Sequence, residues 1–388
     1  MYLTKYNSIS AIISEYNPFH LGHQYHIKKT RDLTSSKYVI SLMSGSFVQR
    51  GEPAVFDKYT RAKMALLNGA DLVIELPTIY ATQSASNFAQ GAVNLLNSLN
   101  CVDYLSFGSE CGDIDELTKN ANMIANLTDE DNLAIKEYLK DGLSYPIALS
   151  KIISDSNNIN VLNNSNNILA IEYIKSLKIT KSLINPVTIK REGASYNETS
   201  LFSGSYASAT AIREAILNKE DFSPFIPDNI VSLFTNPVSL NDFSDTLFYK
   251  LNSIKETGFT MYEDINEEIS NRIIKNLNNF KDISSFIETI KSKNYTYTRI
   301  SRCLLHILLD IKNNDSKILP SYARILGFKK DAKELLGILK ENSSIPLISK
   351  LADASIDSSL MKDIDSTNLY SYISKTHTNE YTSQIVII

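Results

Sequence analysis

In the first third of the chain, short apolar runs at 9–14, 38–43, 72–76 and 104–107 alternate with segments at 24–33, 58–68 and 84–99 whose apolar residues recur every three to four positions. Short, nearly continuous apolar runs suit strands buried on both faces, and the spacing between them suits amphipathic helices. Alternation of this kind predicts an α/β fold, a parallel sheet covered by helices on both faces. Right-handed crossovers then bring the carboxyl ends of the strands, and the loops after them, to one edge, where open α/β sheets bind ligands. Three loops are expected to converge there. One begins at Glu15, one is the 44–53 loop with Gln49, Arg50 and Glu52, and one is Gly108-Ser109-Glu110.

The first of these loops reads Glu15-Tyr16-Asn17-Pro18-Phe19-His20-Leu21-Gly22-His23 and runs into Gln24-Tyr25-His26 at the expected helix start. Pro18 and Gly22 mark the turn. A helix N-terminus offers free N–H groups and partial positive charge to an anion, and Gly22 leaves room for a ligand to approach the backbone. His20 and His23 at that junction suit donation to phosphoryl oxygens as negative charge develops on them. Two histidines three apart also suit a structural metal pair or plain surface positions, but the strand before and the helix after favour the catalytic reading. The H-x-G-H pattern after a first strand resembles the signature of the nucleotidylyl-transferase superfamily, which attacks the α-phosphate of ATP and releases pyrophosphate. Far downstream, Ser205-Tyr206-Ala207-Ser208-Ala209-Thr210-Ala211-Ile212-Arg213 leads into a helix expected at 209–217. Ser208 and Thr210 at its start, with Arg213 one turn on, suit a polyphosphate; in isolation they would be an ordinary cap and a solvated arginine. Arg191, at the end of a strand expected at 187–190, is a further anion candidate. Lys58 and Arg61 are balanced between function and plain surface charge.

Downstream, 113–153 has a helical pattern, and 157–167 reads as a loop rich in Asn and Ser, with Asn166 or Asn167 capping the next helix. A long polar loop is expected at 193–208. Pro224, Pro227 and Pro237 mark a boundary. Two domains are therefore expected: 1–235, catalytic, and 236–388, mostly helical apart from a tail strand at 384–388. A length of 388 residues with 43% hydrophobic content is enough for two cores. No apolar run is long enough to cross a membrane, and the N-terminus lacks the form of a signal peptide, so a cytoplasmic protein is expected. Cys101, Cys111 and Cys303 have no zinc-ligand spacing and are expected as reduced thiols. The net charge of −4 argues against a chain that binds nucleic acid with its whole surface. The segment 291–333, however, holds ten Lys/Arg against three Asp/Glu, which points to a localised anionic partner. Lys291, Lys293, Arg299 and Arg302, near Tyr295, Tyr297 and Tyr322, are the candidates to meet RNA; a solvated helix face is the alternative.

Several blocks carry a more specific likeness: residues 15–23, Met43-Ser44-Gly45, Gln49-Arg50-Gly51-Glu52-Pro53-Ala54-Val55, Asp71-Leu72-Val73-Ile74-Glu75-Leu76-Pro77, Phe107-Gly108-Ser109-Glu110, Asn166-Asn167-Ile168-Leu169, Ser208-Ala209-Thr210-Ala211-Ile212-Arg213 and Tyr295-Thr296-Tyr297-Thr298-Arg299. Together they resemble the bacterial tRNA(Met) cytidine acetate ligase family. The resemblance implies a Rossmann-like nucleotidyltransferase sheet with a C-terminal, mostly helical domain. It implies that acetate attacks the α-phosphate of ATP to give acetyl-adenylate, and that the acetyl group passes to N4 of the wobble cytidine of elongator tRNA(Met). His20, His23 and Arg213 are then the expected catalytic residues. The expected ATP contacts are Ile13, Ser14, Glu15, Tyr16, Asn17, Pro18, Phe19, His20, Leu21, Gly22, His23, Gln24, Tyr25, His26, Gly108, Asn166, Arg191, Ser208 and Thr210. Mg2+ is expected as the counter-ion of ATP, with no metal ligands identified. Elongator tRNA(Met) and acetate are the expected partners, with no membrane and no protein partner. The residues alone reach adenylyl transfer but not acetate. A small-molecule adenylyltransferase of the same superfamily and a non-catalytic RNA-binding protein on that fold stay open beside it.

Overall fold

The computed structural model describes residues 8–140, 145–152, 159–162, 164–191, 207–376 and 379–388. The polar loop expected at 193–208 lies outside the described residues up to position 206. Ten strands are described: β1 Ile9–Ser14, β2 Tyr38–Ser44, β3 Phe47–Val48, β4 Glu52–Pro53, β5 Leu72–Leu76, β6 Tyr104–Ser109, β7 Asn185–Lys190, β8 Ala323–Phe328, β9 Leu347–Ile348 and β10 Val386–Ile387. Eight of them form one sheet in the order β10-β8-β5-β2-β1-β6-β7, with β9 also on β8, while β3 and β4 form a separate hairpin. The run β5-β2-β1-β6-β7 is parallel throughout.

The all-apolar strands are explained by cover on both faces. Ile40, Leu42, Leu72 and Ile74 pack with Phe88, Leu96, Ile171 and Tyr173 of the helices Ala85–Ser98 and Ser165–Ile179. The alternate residues Val39, Met43 and Val73 pack with Ile27 of helix α1 (Leu21–Thr34) and Met64 and Leu66 of helix α2 (Lys58–Leu67). Period-two alternation of side chains thus feeds two cores, one on each side of the sheet.

Three expectations are corrected in detail. Helix α1 begins at Leu21 rather than at 24, which makes His20 its N-cap and puts His23 inside its first turn. Asn166 and Asn167 lie in the first turn of the helix Ser165–Ile179, whose cap position is Asn164. The third correction concerns the chain after 240, read as helical up to its tail. Helices Ser244–Ile254, Glu267–Asn276, Ile283–Ile290 and Tyr297–Leu308 do gather around an apolar core of their own, with Phe243, Ile273, Phe286 and Ile300 inside it. The chain then returns to the main sheet: β8 pairs antiparallel with β5, and β9 and β10 pair with β8. A division at 235/236 therefore assigns to the second part a strand that the first part's sheet incorporates. The central Arg324 hides β8 in the sequence. It is buried at 1% exposure, with Nη2 3.5 Å from Oε1 of the equally buried Glu380.

Candidate active site

Crossovers leave β1 in both directions, towards β2 and β5 on one side and towards β6 and β7 on the other. Strand order reverses at this point, and a crevice opens between the carboxyl ends of β1 and β6. Residues from all three expected loops meet in it. A single cleft is lined by Ile13, Ser14, Glu15, Tyr16, Asn17, His20, His23, His26, Gln49, Arg50, Gly108, Asn166, Arg191, Ser208, Thr210 and Arg213. The two halves of the signature, far apart in sequence, therefore share one site.

The α1 N-terminus is built by its own histidines. His20 Nδ1 accepts from Gly22 N at 3.0 Å, and His20 N donates to His23 Nδ1 at 3.3 Å. This is a capping box made of imidazoles. The two rings stack, with centroids 3.8 Å apart and planes 29° apart. Burial, then the charges of Arg191 and Arg213, pushes His20 down to about 3. Burial, His20, Arg191 and His26 hold His23 well below the usual imidazole range. Burial and Arg191 bring His26 to about 4, and its Nε2 lies 3.2 Å from Ser106 Oγ. All three rings are therefore neutral at ordinary pH. In a neutral imidazole whose Nδ1 accepts, the proton sits on Nε2. His20 and His23, which both line the cleft, each have one Nε2–H to donate. The room at Gly22 serves this arrangement, because a Cβ there would sit 2.8 Å from His20 Cε1. The missing side chain makes room for the His20 ring.

Cations surround these donors. Arg213 Nη1 donates to the Asn17 carbonyl at 2.7 Å and Nη2 to Thr210 Oγ1 at 3.3 Å. Arg50 Nη1 donates to the same hydroxyl at 3.3 Å. Ser208 is the N-cap of the helix Ala209–Asn218 and accepts from Ala211 N at 3.0 Å; Thr210 stands in that helix's first turn. Gly108 lies under Arg191: a Cβ at 108 would be 3.2 Å from Arg191 Cγ, so glycine lets that side chain lie along the strand end. Glu15 accepts from Gln49 N at 3.0 Å; burial raises its carboxyl, and Gln49, Arg50 and Arg213 oppose the shift. Tyr16 adopts φ +45°, in the left-handed region unusual for a side-chain-bearing residue, and its buried hydroxyl lies 2.7 Å from Ser41 Oγ.

The contiguous contact segment expected at 13–26 is split by the helix. Gly22 and Tyr25 line a recess next to the cleft together with Arg191 and Ala207. Pro18 and Phe19 are buried, Phe19 at 0% exposure. Leu21 and Gln24 line a separate groove, and Gln24 Nε2 donates to Asn68 Oδ1 at 3.0 Å. Sequence reasoning missed an apolar wall made by Phe88, Phe107, Leu169 and Tyr173, with Phe107 and Tyr173 ring centroids 5.7 Å apart. Its members read as ordinary core positions on three different elements, and only Phe107, next to Gly108, and Leu169, in the 166–169 block, lay within a local signal.

Lys58 and Arg61 are neither surface charges nor cleft residues. Lys58 Nζ lies 2.9 Å from Glu75 Oε2 and 2.8 Å from Glu380 Oε1, all three side chains being at most 2% exposed. Arg61 donates to the carbonyls of Phe56 at 2.9 Å and Ser44 at 3.1 Å, and to those of Glu15 and Gly45. It thereby ties the ends of β1 and β2 together beneath the site.

The basic segment is also divided. Lys291 and Lys293 are exposed, with Lys291 2.6 Å from Glu288. Arg299 lies over the Tyr295 ring at 5.1 Å, and Arg302 Nη2 is 3.4 Å from Asp264 Oδ2. Tyr295 and Tyr322 are buried, their hydroxyls donating to Glu268 and Asp363, so neither presents a face for base stacking. Among the described residues no group of three or more His, Cys, Asp or Glu could hold a metal ion, and no helix is long and apolar enough to cross a membrane. Cys101 and Cys111 are half-buried and Cys303 is buried.

The HIGH Nucleotidyl Transferase family model matches residues 7–384. The tRNA(Met) cytidine acetate ligase of Clostridium perfringens (strain ATCC 13124) is 45% identical to this chain, over 94% of this chain and 95% of its own length. That of Thermoanaerobacter sp. (strain X514) is 43% identical, over 93% and 94%. Among solved structures, apo Thermotoga maritima TmcAL (form I) matches with a TM-score of 0.90 at 30% identity, covering 98% of this chain and 99% of that one. The same protein bound with alpha-thio ATP matches with a TM-score of 0.88 at 30% identity, over 98% and 99%.

Proposed function

The chain belongs to the HIGH nucleotidyl transferase family, and we infer that it is, like the relatives it matches, a tRNA(Met) cytidine acetate ligase. It activates acetate with ATP and transfers the acetyl group to N4 of the wobble cytidine of elongator tRNA(Met), forming N4-acetylcytidine. The supporting observation is the pair of neutral imidazoles at the start of α1, each with Nδ1 accepting, set among Arg50, Arg191 and Arg213 at the switch point of the sheet.

The first step joins an acetate oxygen to the α-phosphorus and breaks its bond to the bridging oxygen, so that pyrophosphate leaves. Negative charge grows on the phosphoryl and leaving oxygens. Donors fixed in a water-poor cleft stabilise that charge without reorganising. His20 and His23 are assigned to the phosphoryl oxygens through Nε2–H. Arg213 and Arg50, already aligned on Thr210, are assigned to the leaving pyrophosphate. A guanidinium holds such an anion by paired N–H bonds as well as by charge. Neutral imidazoles suit the task because they donate without losing a proton needed elsewhere. In the second step the cytidine N4 attacks the acetyl carbon, the bond to the adenylate oxygen breaks, AMP leaves and the amine gives up one proton.

Mg2+ fits here as a companion of the triphosphate. Glu15 is the one carboxylate lining the cleft among the described residues, and it already accepts from Gln49 N beside two arginines. Phosphate oxygens and water, rather than a protein cage, would hold the ion. For the tRNA we assign Lys291, Lys293, Arg299 and Arg302, with the exposed lysines meeting phosphates. A tRNA substrate implies a cytoplasmic reaction.

The test is to incubate the protein with ATP, isotopically labelled acetate and tRNA(Met). Mass spectrometry of the digested tRNA should find the label in N4-acetylcytidine, with AMP and pyrophosphate as co-products. Formation of ADP and orthophosphate would refute adenylyl transfer.

A further inference from the structure

The end of β6 and the start of the helix Ser165–Ile179 are locked by a reciprocal clamp that the reaction scheme leaves unused. The Glu110 carboxylate takes three N–H groups from that helix's first turn: Asn166 N at 3.3 Å and Asn166 Nδ2 at 2.6 Å on Oε1, and Asn167 N at 2.9 Å on Oε2. In return, Asn167 Oδ1 takes the backbone N–H groups of Glu110 at 2.8 Å and Cys111 at 3.2 Å. Asn167 is buried at 1% exposure, whereas Asn166 is half-buried and lines the cleft.

Two consequences follow from the donor and acceptor inventory. The N-terminus of this helix, an end that would otherwise attract phosphate, is filled by the chain's own carboxylate. An ionised carboxylate only accepts, so it draws the NH2 end of the Asn166 carboxamide towards itself. The other end, Oδ1, is left to the cleft. A free asparagine can present either end of its amide to a ligand; here one choice is made before the ligand arrives.

We propose that Glu110 is a positioning residue that fixes Asn166 as a pure hydrogen-bond acceptor for an N–H or O–H of the bound nucleotide. The proposal rests on the reading of Asn166 as a nucleotide contact. The donor it selects is either the adenine N6 amine or a ribose hydroxyl, the donors that an adenosine carries outside its phosphates. A site built to receive a donor rejects an analogue that lacks it, because its own polar atom is then left unpaired.

The experiment measures acetate-dependent exchange of pyrophosphate into ATP, which needs no tRNA. ATP, inosine triphosphate, 2′-deoxy-ATP and 3′-deoxy-ATP are compared on the wild type, Glu110→Gln, Asn166→Ala and the double variant. The wild type should discriminate against one analogue, and that analogue identifies the donor. In Glu110→Gln the side chain no longer only accepts, so its NH2 must oppose one of the helix N–H groups and the Asn166 carboxamide is no longer held in a single orientation. The KM for ATP should then rise by about tenfold, a change of the size of one missing hydrogen bond. The effect should fall on KM rather than kcat, and discrimination against the chosen analogue should disappear. In the Asn166→Ala background, Glu110→Gln should add nothing to KM.

The outcomes separate cleanly. If Asn166→Ala leaves the KM for ATP unchanged, the nucleotide reading of Asn166 fails and the proposal fails with it. If Asn166→Ala raises KM while Glu110→Gln keeps wild-type KM and wild-type discrimination, the clamp does not set the amide and only the proposal is overturned. A Glu110→Gln effect that persists in the Asn166→Ala background, with a lowered melting temperature and unaltered discrimination, would make Glu110 a structural cap and overturn it equally.

Discussion

At the scale of single residues, the α1 histidines combine two tasks that substitution can separate. His23 Nδ1 accepts from His20 N and so belongs to the helix cap, while its Nε2–H is assigned to the chemistry. Asparagine places a carbonyl near the position of Nδ1, and glutamine places an amide NH2 near that of Nε2. His23→Asn should therefore keep the first turn of α1 but lose the donor, slowing adenylate formation by about 10²–10³-fold, the usual cost of one such donor. His23→Gln should retain more activity. Single-turnover measurement of pyrophosphate release checks both, and equal rates for wild type and His23→Asn would exclude the role. Burial of neutral imidazoles also has a stability signature. His26 titrates at about 4 in the fold against the ordinary 6.5 of a free imidazole side chain, so between those values the unfolded chain binds more protons. Its contribution is full above about 6.5 and is lost as pH falls towards 4. Urea midpoints measured across this window should fall less steeply for His26→Asn than for the wild type.

At the scale of elements, the β3–β4 hairpin is the joint between the cleft and the helical part. Its turn supplies Gln49 N to Glu15 and Arg50 to Thr210 on one side. On the other, the Gly51 carbonyl accepts from Ser301 Oγ at 2.8 Å in the helix Tyr297–Leu308. Gly51 has φ +81°, and a Cβ there would lie 2.4 Å from Arg302 N, so both conformation and space demand glycine. Gly51→Val should lower the melting temperature and also raise the KM for ATP, although Gly51 does not line the cleft. A lowered melting temperature with unchanged KM would show that the hairpin does not transmit to the site. Legibility in the sequence follows the same logic of local and distant causes. The parallel strands β1, β2, β5 and β6 were readable because burial on both faces writes itself as an unbroken apolar run. The convergence of three loops followed from crossover handedness. What escaped was set by partners far along the chain. Arg324 made β8 look unlike a buried strand because Glu380 is not a neighbour in sequence. Lys58 and Arg61 stayed balanced between function and surface charge because Glu75, Glu380 and the carbonyls of Glu15, Ser44 and Gly45 that hold them are not their neighbours in sequence. The imidazole capping box was within reach, since a helix start at Leu21 rather than at 24 would have placed His20 and His23 at N-cap and N3.

At the scale of the whole molecule, the two chemical steps make different demands, and the structure suggests where they divide. On the proposed mechanism, adenylate formation takes place in the cleft between β1 and β6, whereas acetyl transfer requires a tRNA docked so that one cytidine reaches that cleft. A net charge of −4 makes docking depend on local cations rather than on overall attraction. Within the basic segment the candidates are not equivalent. Arg324 is buried in the sheet, Arg302 is 12% exposed beside Asp264, and Arg299 lies on Tyr295, so replacing any of them disturbs packing as well as charge. Lys291 and Lys293 are exposed, and Lys291 is paired with the exposed Glu288, an ion pair of the kind that contributes little to stability. The double variant Lys291→Ala/Lys293→Ala should therefore keep the wild-type melting temperature and the wild-type rate of acetate-dependent pyrophosphate exchange. Its affinity for tRNA should weaken, and the slope of log K against log salt should become shallower by roughly 0.7 to 0.9 for each phosphate that is no longer neutralised. Filter binding across a salt series measures both. An affinity and a slope that stay at wild-type values in this folded, adenylate-forming variant would remove these lysines from the docking surface. The RNA would then have to be carried by other cations, with the exposed Lys312, Lys317, Lys330 and Lys333 of the same segment the next to test.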